Sequence, residues 1–247
     1  MEKSPMIPMK LSKAHLVLVD ISGYTKFIRL HRLSLIHAER IITELLNCVI
    51  DASDHPLALN KLEGDAALFF ATYDETIPGK AQACAAAVLN QITGFFDIFN
   101  VRERELVSAC SLCACEACAR VDRLRIKVIA HSGTILLKQV RHLEEIAGED
   151  VILAHRLLKN SVNAEEYLLL TDAFHSFSGN PEGRSTESLF EIINGDQKVD
   201  LHVHYPSPVK TMPRSSFWKN VGTYFRLEAY TLKRLVTKAK RPFRHLS

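Results

Sequence analysis

The chain has 247 residues, 47% of them hydrophobic and 24% charged, the balance of a globular protein with a sizeable core. No apolar run approaches the roughly 20 residues that span a bilayer, and residues 1–13, with Pro5, Pro8 and scattered lysines, lack the apolar stretch of a secretory signal, so a cytoplasmic protein is expected. The formal charge of +3 conceals a split: residues 207–247 carry ten Lys/Arg against one acid, Glu228, while the remainder carries 21 basic and 27 acidic residues.

In chain order, Ala14 and Leu16 to Val19 form an apolar run that reads as a strand buried on both faces and ends at Asp20. Gly23, Tyr24 and Thr25 then open a helical pattern, and their free N–H groups are suited to cradle a phosphate. The plainer alternative is that Asp20 caps a tight strand-to-helix turn. Helical spacing runs from Phe27 and Leu30 to Val49 and Ile50. Leu57 to Leu62 is extended, Glu63-Gly64-Asp65 reads as a hairpin turn, and Ala66 to Ala71 is the returning strand. A long helix is expected from Lys80 to about Asn100, followed by a cysteine-rich loop.

Leu124 to His131 alternates as a strand, and Ser132-Gly133 is expected to turn it into a second strand, Thr134 to Val140. His131 then falls at a strand end with a structural role. Gly148-Glu149-Asp150 caps a helix, Val151 to about Lys159. A short strand at Tyr167 to Leu170, a short helix from Thr171, and strands at Leu189 to Ile193 and Val199 to Tyr205 complete the pattern. Strands with helices between them argue for an α/β or α+β sheet carrying packed helices.

Asp20 ends the first strand and Asp65 sits in the next hairpin turn. If the hairpin pairs beside that strand, the two carboxylates meet at one rim. Hard cations such as Mg²⁺ or Mn²⁺ need oxygen ligands of this kind, with water and phosphate completing the shell. The segments LVLVDISGYTKFI, NKLEGDAALFF, IKVIAHSGTILL and AGEDVILAHRLL together resemble the class III adenylate/guanylate cyclase catalytic domain, in a divergent bacterial-type form, over roughly residues 14 to 205. The resemblance implies an α+β fold with a mixed, mainly antiparallel sheet and a ferredoxin-like core.

It also implies roles. Asp20 and Asp65, with the Ile21 carbonyl, match the two-metal ligands, and Gly23 to Thr25 match the triphosphate turn. Lys61 and Glu145 match the purine-reading pair, whose polarity favours ATP over GTP, and Arg156 matches the arginine that stabilises the transferring phosphoryl group. The family places a ribose-orienting asparagine four residues before that arginine. Here the position is Ile152, which can neither donate nor accept a hydrogen bond. Asn160 and Asn163 lie too far along to replace it, and His155 falls elsewhere on the helix. The implied function is metal-dependent conversion of ATP to cyclic AMP and pyrophosphate at a head-to-tail homodimer interface. The alternative is a non-catalytic nucleotide-binding or signalling module on the same fold.

Cys110, Cys113, Cys115 and Cys118 crowd into nine residues. In a cytoplasmic protein this spacing points to a metal rather than to disulfides. Four thiolates suit one tetrahedral Zn²⁺, one ligand being replaceable by a histidine, and an iron–sulfur cluster is the other option. Cys48 and Cys84 read as buried thiols. Aromatic and aliphatic residues of 207–247, interleaved with Lys/Arg, read as a basic amphipathic helix suited to a membrane surface or an acidic partner, or else packed back on the domain. Nucleic acid is not favoured, since no recognised binding fold supports it. The expected organisation is a flexible segment 1–13, a cyclase-like domain 14–206 with a cysteine loop 108–120, and a basic helical tail 207–247.

Overall fold

A computed structural model describes residues 9–24, 27, 35–110, 113, 115, 117–140, 143–181 and 186–206. Thr25 and the basic tail at 207–247 lie outside the described residues.

Strand β1 (Met9–Ser22) is the spine of the fold. Its side chains alternate between two cores: Val17, Val19 and Ile21 enter one, and Ala14, Leu16 and Leu18 the other. An apolar side chain at nearly every position is what a strand covered on both faces requires. The strand begins at Met9, five residues ahead of the apolar run, because Met9 to Lys13 continue its pairing with a neighbouring strand.

Helix α1 (Leu35–Asp51) follows, then the hairpin β2 (Ala58–Glu63) and β3 (Ala66–Tyr73), helix α2 (Lys80–Cys110), a 3₁₀ turn (Cys118–Arg123), β4 (Arg125–Val140) and β5 (Leu143–Ala147). Helix α3 (Glu149–Arg156), β6 (Tyr167–Thr171), helix α4 (Asp172–Ser178), β7 (Thr186–Ile193) and β8 (Gln197–His204) complete it. The eight strands form one sheet in the order β2-β3-β1-β4-β6-β8-β7, with β5 paired to β4. Only β4 and β6 run parallel among the described pairings. The architecture is the expected α+β type, a mainly antiparallel sheet with packed helices.

Helices α1, α2 and α4 supply the first core, with Ile41, Leu45, Phe95, Phe96 and Phe174 fully or nearly buried. Helix α3 covers the other face through Val151, Leu153 and Ala154. Burial of each large apolar side chain contributes about 1.5–3 kcal/mol. By length and composition α2 is also apolar enough to cross a membrane. In the fold its apolar stripe, from Ala81 through Phe95, Phe96 and Phe99 to Leu106, is buried.

Two expectations are corrected. Helix α2 does not stop near Asn100. Leu106, Ala109 and Cys110 continue its buried stripe, so Cys110 is the last helical residue and not part of the loop. Nor does Ser132-Gly133 turn the chain: β4 is a single 16-residue strand, held straight by continuous pairing with β1 from Lys138 to Arg125. Gly133 is there for close approach. A Cβ built on it would lie 2.1 Å from Cγ of Asp150. That carboxylate accepts from the Thr134 N–H at 2.6 Å and pairs with His131 Nε2 at 3.1 Å. His131 lies in mid-strand and not at a strand end, with its Nδ1 2.9 Å from Thr171 Oγ1.

Candidate functional site

The antiparallel register sets the rim. Asp20 stands opposite Ala66 of β3 and opposite Lys127 of β4. The Ile21 N–H donates to the Asp65 carbonyl at 3.2 Å, which draws the hairpin turn onto the end of β1. The carboxylates of Asp20 and Asp65 are thereby neighbours. Burial holds Asp20 above the ordinary carboxylate range, and Lys127, with Nζ 3.9 Å from Oδ2, only partly offsets this. Asp65 is pushed up to about 6, first by burial and then by the Asp20 charge. Two half-buried carboxylates, both raised by burial and Asp65 also by the charge on Asp20, fit a hard divalent cation, which would favour the ionised form of both. The residues present therefore suit Mg²⁺ or Mn²⁺, and the Ile21 backbone lies at the same rim.

Beyond β1 the chain turns at Gly23, whose φ of 88° lies in the region that favours glycine. The Phe27 N–H donates to the Gly23 carbonyl at 2.9 Å, so a helical turn opens there and the Tyr24 N–H belongs to its first, unsatisfied turn. Tyr24 is tethered to α1 by a hydrogen bond from its hydroxyl to Glu39 at 3.0 Å.

A separate open groove of about 500 Å³ is lined by Lys61, Glu63, Gly148, Ile152, His155 and Arg156, among others. Neither Asp20 nor Asp65 lines it. Lys61 Nζ lies 2.9 Å from Glu63 and 3.9 Å from Glu145 on β5. The hydrogen bond to Glu63 raises the Lys61 pKa. Burial pushes Glu63 up, but Lys61 and His155 outweigh it and hold that carboxyl low. Arg156 and Ile152 sit one turn apart on α3, both exposed. Ile152 is 54% exposed, so an apolar side chain forms part of the groove wall. Asn160 is committed elsewhere: its amide donates to the Leu157 carbonyl and to Tyr167 Oη, both at 2.7 Å.

Sequence reasoning missed several members of these arrangements. His155 lines the groove, with Nε2 2.8 Å from Glu63, instead of pointing away. Glu63 is the closer partner of Lys61, and Lys127 faces Asp20. In the cysteine segment, Cys113, Cys115 and Cys118 gather with His37 of α1, all four ligand atoms within 4.8 Å of one another. Cys110 is outside this foursome, though its thiol is in hydrogen-bond contact with Cys118. Burial pushes the Cys113 thiol up to about 12. Asp172, His175 and His202 also converge, near the start of α4. Cys84 is buried as expected, and Cys48 is partly exposed.

The mainly antiparallel sheet with its packed helices is a fold like that of nucleotide cyclase catalytic domains. The adenylyl cyclase CyaB from P. aeruginosa matches with a TM-score of 0.62, covering 81% of this chain and 97% of that one at 15% identity. The guanylyl cyclase Cya2 matches at 0.55, covering 79% and 92% at 12% identity. A bacterial light-regulated adenylyl cyclase matches at 0.59, covering 90% and 59% at 10% identity. At these identities the likeness is one of fold.

By sequence, the chain belongs to the family described as a protein of unknown function (DUF2652), which matches residues 42–167. The uncharacterized protein Rv2561/Rv2562 of Mycobacterium tuberculosis (strain ATCC 25618 / H37Rv) is 39% identical over 131 residues, 53% of this chain and 57% of that protein. The match thus spans little more than half the length of that relative.

Proposed function

We propose that this chain is a class III-type nucleotide cyclase that converts ATP to cyclic AMP and pyrophosphate at a homodimer interface. The observation that carries the proposal is the convergence of Asp20 and Asp65 at the rim of β1, beside the Gly23 turn, on a fold of the cyclase type. The ribose 3′-hydroxyl gives up its proton to solvent as its oxygen bonds to the α-phosphorus, and the bond from that phosphorus to the bridging oxygen of pyrophosphate breaks. Bound Mg²⁺ or Mn²⁺ supplies charge neutralisation of the triphosphate and of the attacking oxygen. Asp20, Asp65 and the Ile21 carbonyl would hold these ions, and the first-turn amides after Gly23 would receive phosphate oxygens.

Lys61 would donate to adenine N1 and Glu145 would accept from its amino group. Their 3.9 Å separation supports a shared base edge. Arg156 would stabilise charge on the transferring phosphoryl group. The groove and the carboxylate rim do not share lining residues, which supports a two-fold pairing in which the groove of one protomer faces the rim of its partner.

A second reading is favoured by one residue. Ile152 offers no hydrogen bond to a ribose, and loss of an oriented donor beside the reacting centre costs on the order of 10²-fold in rate. On that reading the domain binds nucleotide and signals without turnover.

Incubation of the pure protein with Mn²⁺ and ATP tests both. Cyclic AMP formed by the wild type and abolished by Asp20→Ala is the expected result. Cyclic AMP surviving in Asp20→Ala would refute the mechanism. Nucleotide binding without product, with product appearing in Ile152→Asn, would establish the second reading in its place.

A further inference from the structure

The cysteine segment carries a site that the nucleotide chemistry does not use. Cys113 Sγ and Cys115 Sγ lie 3.7 and 3.6 Å from Nδ1 of His37, a residue 76 and 78 positions away in the chain. A tetrahedral zinc with Zn–S of about 2.3 Å and Zn–N of about 2.0 Å has S···N edges of about 3.5 Å. Two edges of that tetrahedron are therefore already drawn, and Cys118 Sγ completes a foursome within 4.8 Å. The Cys118 N–H donates to Cys115 Sγ at 3.4 Å, the kind of amide support that a thiolate ligand receives from its own loop.

We propose that Cys113, Cys115, Cys118 and His37 bind one Zn²⁺ as a structural Cys₃His site, with Cys110 excluded from the ligand set. Cys110 closes α2, is 3% exposed and packs in the first core. Its thiol is in hydrogen-bond contact with Cys118 but lies outside the foursome of mutually close ligand atoms. Three soft sulfur ligands and one imidazole suit Zn²⁺, and a fully protein-ligated tetrahedron leaves no open position for a substrate.

The placement gives the metal a job. His37 stands in the first turns of α1, the helix to which Tyr24 is tethered through Glu39. Cys118 starts the 3₁₀ turn that ends at Arg123, and the Arg123 carbonyl would lie 3.8 Å from a Cβ on Gly23. The ion thus ties α1 and the 3₁₀ turn together on two sides of the Gly23 turn. This holds whether or not the domain cyclises ATP.

The test is elemental analysis of the full chain purified with and without added zinc, joined to cobalt substitution. We expect one zinc per chain, retained in Cys110→Ser and lost in Cys113→Ser and in His37→Ala. Circular dichroism separates lost metal from lost fold. If His37→Ala fails to fold, the Co²⁺-loaded wild type still decides, because the thiolate-to-cobalt charge-transfer intensity counts three sulfurs or four. A four-sulfur spectrum, metal lost in Cys110→Ser, metal kept in His37→Ala, bound iron with a brown chromophore, or no stoichiometric metal would each overturn the assignment.

Discussion

Replacing Asp65 by Asn should stabilise the metal-free protein at alkaline pH, although it removes a group assigned to the site. The Asp65 carboxyl titrates at about 6 in the folded chain against an ordinary 3.8. A raised carboxyl means that the folded state holds the proton more tightly than the unfolded state. Ionising it opposes folding: the penalty is absent below about pH 3.8, grows through the window up to 6, and is complete above it. About two pKa units correspond to about 3 kcal/mol. Asp65 is half-exposed, so solvent screening brings the expected gain for Asp65→Asn to about 1–2 kcal/mol at pH 8. At pH 4.5 the gain should shrink to about a third of that, since most of the titration window lies above this pH.

Urea unfolding in EDTA at the two pH values measures it. A second arm adds Mn²⁺ at pH 8. The wild type should gain stability from a cation that offsets the carboxylate repulsion, and the variant should gain much less. A variant less stable than wild type at pH 8, or an equal Mn²⁺ effect in both proteins, would refute the description of Asp65 as a carboxyl raised by burial and by the charge on Asp20.

Two further substitutions probe the frame around the site. Gly133→Ala must displace Asp150 and with it the contacts to Thr134 and His131. It should cost about 2–4 kcal/mol by chemical denaturation. The control Gly94→Ala in α2, where a Cβ meets nothing within 4 Å, should gain about 0.5–1 kcal/mol; equal effects would discard the close-approach account. His15 is fully buried, between Ser132 and the Ala81 carbonyl, and burial lowers its pKa to about 4 from 6.5. Below pH 6.5 the unfolded chain binds a proton that the folded chain refuses, so stability should fall by about 3 kcal/mol between pH 6.5 and 4. His15→Gln, neutral throughout, should flatten that slope, and parallel pH profiles would contradict it.

What the sequence makes legible is local or carried by pattern. The run from Leu16 to Val19 announces a strand with two buried faces, and Glu63-Gly64-Asp65 announces its hairpin, so the Asp20–Asp65 pairing follows from two short stretches. The register that joins them is set by alternation, which a reader can count. The misread positions depend on partners far along the chain. Gly133 looks like a breaker because the carboxylate that needs its empty space, Asp150, comes later. His37 stands in an ordinary amphipathic helix, and nothing in its neighbourhood points to thiols 76 positions away. Glu63 and His155 are 92 positions apart, so their contact leaves no signal at either place. The end of α2 lies beyond a charged run, Arg102, Glu103, Arg104 and Glu105, whose partners Glu44 and Arg125 are not its sequence neighbours. In the fold, Arg102 is paired with Glu44 and Glu105, and Glu103 is buried with Arg125 nearby.

The central position of β1 bears on how the protein is made. During synthesis its β3 edge is satisfied once about residue 73 has emerged, but its β4 partners, Arg125 to Lys138, follow more than fifty residues later. In that interval a long strand, apolar on both faces, presents one unpaired edge, the arrangement that recruits a neighbouring nascent chain. Helices α1 and α2 are complete before β4 appears and can shield one face, while the face that α3 covers stays bare. A ribosome-associated holdase is therefore expected to engage the chain mainly between the emergence of β3 and that of β4, and slowing translation in that window should raise the aggregated fraction.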